Sequence, residues 1–298
     1  MLKTISIHDR LTKVKPDDLA IIPDTINITS FIDSLPNFLA AAQLKLVVQK
    51  IKEAKLRKKA IILMIGGHMV KVGISPLINK LISEGFITHL AMNGSAAIHD
   101  FELSKYGGTS EDVQAGLIDG TFGMVRETAE NLNRAVRRAA ELDMGYGEYL
   151  GYELADSKLS IVGQCLNSQI GCTIHSAIGT ETIHQHDNFD GESWGKTSAI
   201  DFKSLSNYII NLNDGGVVLN FGSAVIMPEI FLKALTISRN INNGNPIGFM
   251  AADFDMIRQY RPKMNIVERP TKNNGTGVQI TGHHEIMFPL LAWALLSK

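Results

Sequence analysis

Nine histidines are spread through the 298 residues. Seven of them, His68, His99, His175, His184, His186, His283 and His284, fall at or beside the ends of segments that read as strands. Imidazole changes charge near neutrality, ligates metals and serves as a general acid or base. Thr180 to Asp190, TETIHQHDNFD, concentrates the pattern, since His184 and His186 with Glu181 and Asp187 supply nitrogen and carboxylate donors that suit zinc, iron or manganese. The same His-x-His spacing equally describes the polar wall of a cleft, or histidines held by hydrogen bonds. His283-His284-Glu285 has a similar double reading, because Glu in a first helical turn also serves the cap and the macrodipole. Asp100 and Glu102 follow a small-residue turn, where they could orient a ribose or a substrate cation, while Asp100 could equally cap a helix. Lys71 lies in another such turn, as a phosphate partner or as an ordinary solvated lysine. No Ser-His-Asp order and no G-x-S-x-G elbow occurs, which disfavours a serine nucleophile. Cys165 and Cys172 are too few for a disulfide scaffold and lack metal-ligand spacing, so both read as reduced and structural.

These side chains hang from an alternation of strands and helices. Ala60 to Ile65 is a continuous apolar run that ends at Gly66-Gly67, the pattern of a strand buried on both faces. Ser75-Pro76 then reads as a cap followed by a first helical residue, with Leu77, Ile78, Leu81 and Ile82 at helical spacing and Gly85 as the stop. Ile87 to Met92 is a second strand closed by Asn93-Gly94-Ser95. Phe38 to Lys55 reads as an amphipathic helix, Thr121 to Leu142 as a long one, Gly171 to Gly179 as a strand, and Phe202 to Ile210 as a helix. Val217 to Phe221 and Ile247 to Ala252 are further strands, the latter ending at Asp253-Phe254-Asp255. Gly275 to Gly282 precedes a terminal helix from His284 to Leu296. Such alternation predicts an α/β fold, a mostly parallel Rossmann-like sheet with helices on both faces, in one domain spanning 1–298 with residues 1–35 as an N-terminal arm. Ligands of such sheets bind beyond the carboxyl ends of the strands, which makes the two glycine-bearing turns the first site candidates. GGHMVKVG is neither the G-x-G-x-x-G fingerprint nor a Walker loop, so its glycines could also do no more than permit tight turns.

The composition is ordinary for a globular chain, 45% hydrophobic and 20% charged, with a formal net charge of -1. That balance gives no electrostatic footprint for nucleic acid. No segment approaches the ~18 uninterrupted apolar residues that a membrane span needs, and the first residues lack a leader's apolar core. A cytoplasmic protein acting on a small molecule is the expectation.

The order of motifs resembles the deoxyhypusine synthase family. NFLAAAQLKLVVQKI is similar to the helix before that family's first strand, GGHMVKVGISPLINKLISEG to its first turn and helix, and THLAMNGSAAIHDFE to its second strand and turn. VVLNFGSAVIMPEIFLKAL is similar to its glycine-rich turn, and VQITGHHEIMFPLL to its terminal strand and helix. The resemblance implies NAD as cofactor, with contacts on Gly67, His68, Met69, Val70 and Lys71, on Asn93, Gly94 and Ser95, on Gly222, on Ala252 and Asp253, and on Gly282 and His283. It also implies a homo-oligomer, a tetramer with sites at subunit interfaces, and the expectation here is that residues around Thr180 to Asp190 of one subunit help close the cofactor site of another. Three departures stand out. Pro228-Glu229 replaces a pair of histidines, Ile98-His99 precedes Asp100 where the family has paired acids, and the family's catalytic lysine has only Lys263 and Lys272 in its region. Ser193-Trp194-Gly195-Lys196 copies the lysine's tetrapeptide but lies ahead of Phe221-Gly222 instead of after it.

The expected function is therefore NAD-dependent transfer or oxidation on a small amine or polyol, rather than deoxyhypusine formation itself. His99, Asp100, Glu181, His184, His186, Lys272 and His284 are the candidate catalytic groups. Two alternatives stand beside it. One is a catalytically silent nucleotide-binding module, the other a metal-dependent hydrolase or lyase built on His184 and His186.

Overall fold

A computed structural model describes residues 27–297. Six strands, β1 (Ile61–Ile65), β2 (His89–Asn93), β3 (Gly171–His175), β4 (Val217–Phe221), β5 (Met250–Asp255) and β6 (Thr276–Thr281), form one sheet in the order β3-β2-β1-β4-β5-β6. Every pairing is parallel. The chain starts in the middle of the sheet, winds outward to β3, then returns to β4 and winds the other way. The point of reversal lies between β1 and β4, where the connections from the two strands leave in opposite directions and open a crevice.

Burial on both faces explains the unbroken apolar strands. Ile61, Leu63 and Ile65 of β1 face a core shared with the helices Leu39–Leu56, Ser75–Ser83 and His284–Leu296, whereas Ile62 and Met64 face one built from Leu205, Met227, Phe231 and Leu235 of the helices Gly191–Tyr208 and Ile226–Ile241. A two-residue period assigns alternate side chains to the two cores.

Several local expectations are corrected. Ser75 is the first residue of its helix, not the cap; Ile74 takes that place because its carbonyl already accepts from the amides of Leu77 and Ile78. The long helix begins at Arg126, since Gly123 adopts φ +79, a left-handed turn that a helix cannot continue through. The helix read over Phe202 to Ile210 runs from Gly191 to Tyr208. A short helix, Val113–Asp119, went unread because it buries no residue and so carries no apolar period. The expected arm over residues 1–35 lies mostly outside the described residues, and its described part contains the helix Ile28–Ser34. No described helix is long and apolar enough to cross a membrane.

Candidate functional site

The strand register fixes what faces the crevice. Asn93 pairs with His175, Asp255 with Thr281, and one step beyond the paired residues Ile65 and Phe221 stand Gly66 and Gly222. The carboxyl edge of the sheet thus reads His175, Asn93, Gly66, Gly222, Asp255, Thr281, polar at the flanks and without side chains at the reversal point. Two glycines are required there. A Cβ on Gly66 would overlap the Gly222 carbonyl oxygen, and Gly222 has φ +66 with His284 Nε2 only 2.7 Å from the place a Cβ would occupy.

His284 is buried beneath Gly222, and neither ring nitrogen has a hydrogen-bond partner among the described residues. Its Nε2 lies 3.8 Å from Asp255 Oδ1, and its ring meets that of His68 edge-on at 5.7 Å. Burial lowers its pKa, partly offset by the Asp255 charge. Two unsatisfied nitrogens of a buried imidazole thus lie immediately beneath the side-chain-free turn, a departure from the usual pairing of buried polar groups.

Beside the crevice, between the ends of β1, β2 and β3, a cavity of about 200 Å³ is lined by Lys71, Ser95, His99, Glu102, Glu111 and Glu181 among others. Gly67 and Gly94 permit its close walls, because a Cβ on Gly67 would overlap Ser95 Oγ and one on Gly94 would overlap the Glu181 carboxylate. Glu181 follows the β3 turn and is 5% exposed, and burial pushes its carboxyl up to about 7 against backbone donors that include Ala177. Its Oε2 has no hydrogen-bond partner among the described residues. That oxygen is 3.2 Å from His184 Nδ1, but the Nδ1 lone pair already accepts the Gly179 amide at 3.1 Å. The His184 proton therefore sits on Nε2, which has no hydrogen-bond partner among the described residues, and the ring meets the indole of Trp194 edge-on at a separation of 4.7 Å. His99 is held at Nδ1, 2.7 Å from Thr109 Oγ1, while burial and then the Lys71 charge lower its pKa to about 4.

The structure sorts the sequence candidates. Lys71, Ser95, His99 and Glu181 meet in the cavity, and His68, Gly222 and His284 meet at the crevice. Met69 and Val70 are fully buried in the core, leaving only their backbone available to a ligand. His283 caps the terminal helix with its ring in solvent, next to Gly282.

Other assignments are overturned. Asp100 points away from the cavity and caps the helix Ile161–Asn167, accepting from Ser160 Oγ at 2.7 Å and from the amides of Ile161 at 2.7 Å and Val162 at 3.3 Å. Lys272 is exposed ahead of β6, at the amino end of the sheet and so at the end opposite the crevice. Ala252 and Asp253 lie inside β5, with the Asp253 carboxylate bound by Asn220 at 2.8 Å and Gln279 at 2.9 Å. The strand runs from Met250 to Asp255, starting later and ending three residues further than its apolar pattern suggests, which makes Asp255 the acid at its end. His184 and His186 do not converge on a metal. His186 Nε2–H donates to the Gly123 carbonyl at 2.8 Å, and among the described residues no group of three or more His, Cys, Asp or Glu side chains is arranged to hold one. Lys196, of the copied tetrapeptide, pairs with Asp143 at 2.5 Å on the surface.

Asp255, visible in the sequence only as part of the strand's end, stands beside His284, and nothing local in the sequence marks Thr109.

No family model and no curated protein matches the sequence. Solved structures do. A conserved candidate LOR/SDH protein from Methanococcus maripaludis S2 matches with a TM-score of 0.52 at 15% identity, over 87% of this chain and 70% of that one. A candidate deoxyhypusine synthase from Entamoeba histolytica matches with a TM-score of 0.53 at 13% identity, over 90% and 93%. AgrE, solved in a ternary complex with ornithine and NAD+, matches with a TM-score of 0.55 at 13% identity. This chain shares their fold. It covers 85% of itself but only 32% of AgrE, so it spans about a third of that protein's length. The architecture is thus an α/β fold shared with deoxyhypusine synthase-like and LOR/SDH proteins.

Proposed function

We propose that the chain is an NAD-binding enzyme that removes hydride from a carbon bearing an amine or a hydroxyl on a small substrate. The observation that carries this reading is the juxtaposition at the reversal point, where a crevice emptied of side chains at Gly66 and Gly222 adjoins a cavity of about 200 Å³ holding Glu181 and His99. The crevice fits a dinucleotide by its chemistry. Gly66 and Gly222 let the turns after β1 and β4 pack closely with no side chain between them, the 13-residue helix Gly94–Tyr106 starts at the rim, and the unpartnered nitrogens of His284 lie just beneath the β4 turn. AgrE, of the same fold, is solved with NAD+.

Bound there, NAD would supply the hydride acceptor. Glu181, with its carboxyl near 7, takes the proton that leaves the substrate nitrogen or oxygen as the hydride departs from carbon. Lys71 and the neutral His99 orient the substrate, and the walls at Ser95 and Ile98 limit its size. Lys272 and Lys196 both lie away from the cavity, and Lys263 pairs with Glu268 at 3.6 Å and does not line it, so no lysine in the position of the family's nucleophile is available for transfer to a protein. That favours oxidation or deamination of a free small molecule.

Mass spectrometry of denatured purified protein should reveal co-purified NAD, and a panel of amines, polyols and amino acids should yield a substrate that generates the reduced-nicotinamide absorbance. Binding of NAD with no reduction by any member would favour the silent nucleotide-binding module. Failure to bind NAD at all would remove the proposal.

A further inference from the structure

The hydrogen bonds behind His99 determine which of its nitrogens carries the proton. Thr109 Oγ1 contacts two groups, Glu102 Oε2 and His99 Nδ1, the latter at 2.7 Å. The carboxylate oxygen can only accept, so the single hydroxyl proton of Thr109 goes to Glu102. The other Glu102 oxygen accepts from Thr128 Oγ1 at 3.0 Å. With its proton committed, Thr109 meets His99 only through a lone pair, and His99 Nδ1 must be the donor. Nε2 is then bare, has no hydrogen-bond partner among the described residues, and belongs to a ring that lines the cavity.

We infer that Glu102, acting through Thr109, is a positioning residue that locks His99 as its Nδ1–H tautomer and presents Nε2 as a hydrogen-bond acceptor, so that the cavity selects a ligand offering an N–H or O–H donor at that point. This deepens the proposed oxidation site, since amines and alcohols are the ligands that carry both such a donor and a removable hydride. The low pKa of His99 agrees, because a neutral ring keeps the lone pair. The lock is delivered from outside the sheet. Thr109 follows Gly107, at φ +75, and Gly108, and it begins the segment whose helix Val113–Asp119 buries no residue, so the tautomer depends on that segment being seated.

A purely structural role, in which Glu102 and Thr109 only anchor the loop, would leave the His99 tautomer at the Nε2–H form that a free histidine side chain prefers. The experiment is nitrogen NMR of protein labelled at histidine nitrogens, without cofactor or substrate, so its outcome does not depend on whether NAD binds. The wild-type protein is expected to show His99 protonated at Nδ1 and bare at Nε2 near neutral pH, with Thr109→Ser unchanged. Thr109→Val, which lacks the hydroxyl, and Glu102→Leu, which frees the Thr109 proton for Nδ1, are both expected to switch His99 to Nε2–H. A wild-type spectrum showing His99 protonated at Nε2, or both variants retaining the Nδ1–H form, would overturn the inference, and the wild-type result decides even if a variant fails to fold.

Discussion

His284 stands directly under Gly222, with Nε2 2.7 Å from the position of a Cβ that the glycine lacks. Placing a methyl group on that glycine would both strain a left-handed backbone and press on the imidazole. Gly222→Ala is therefore expected to cost on the order of 1–3 kcal/mol of stability and to weaken NAD binding by about tenfold or more, equivalent to ~1.4 kcal/mol. Thermal melts and a calorimetric NAD titration on the same preparation check both effects.

Replacing Glu181 by Gln keeps the size but removes the proton acceptor. Turnover of the substrate found by panel screening is expected to fall on the order of 10² to 10⁴-fold, with NAD affinity unchanged. In the wild-type protein the rate should rise with pH through about 7, following the Glu181 carboxyl. A rate independent of pH in that range would remove Glu181 from the role.

Stability should pass through a maximum near pH 6. Burial lowers His89 and His99 to about 4 and His175 to about 3, so below the ordinary histidine value of 6.5 the unfolded chain binds more protons and stability falls as pH drops. Glu181 and Asp201 work in the opposite sense, raised to about 7 from 4.5 and 3.8, so their contribution is complete below the unfolded values and is lost as pH rises through 7. Asp100, raised to about 6, does the same at lower pH. Urea midpoints measured from pH 4 to pH 9, at about unit intervals, test the shape, and Glu181→Gln should flatten the alkaline side.

The central architecture was legible because burial on both faces leaves an unmistakable run such as Ile61 to Ile65, and because glycines at 66, 67 and 94 mark close approaches that no other residue allows. That His99, Glu181 and Lys71 come together around one cavity follows from their places after strand ends. What stayed hidden depends on contacts across the chain. Asp100 reads as a site acid until the helix at Ile161 arrives to be capped by it, 61 positions away. Asp201 falls just ahead of the segment that reads as a helix, yet it accepts from the amides of Gly147 and Ile174 at 3.0 Å, a pairing set by how the observed helix Gly191–Tyr208 crosses β3. Thr109 reaches His99 only because the chain turns back at Gly107, and the unburied helix beyond it gives no period to read.

The assembly is a further proposal. The resemblance that suggested NAD also suggested a homotetramer with sites at subunit interfaces; Thr180 to Asp190, expected to close a neighbour's site, contributes Glu181 to the cavity of its own chain. Light scattering at micromolar concentration should give a multiple of the chain mass of 32.6 kDa. A monomer that still binds NAD would dismiss the shared site while leaving the crevice in place.

The most direct measurement for the whole account is calorimetric titration of NAD into the purified protein, in parallel with Gly222→Ala and Glu181→Gln. Saturable one-to-one binding to the wild-type protein, weakened by Gly222→Ala and unchanged by Glu181→Gln, is the predicted result, since the first change displaces the β4 turn and the His284 ring beneath it and the second alters only the neighbouring cavity. No heat of binding to wild-type protein that carries no co-purified nucleotide, or binding indifferent to Gly222→Ala, would contradict the placement of the cofactor between β1 and β4.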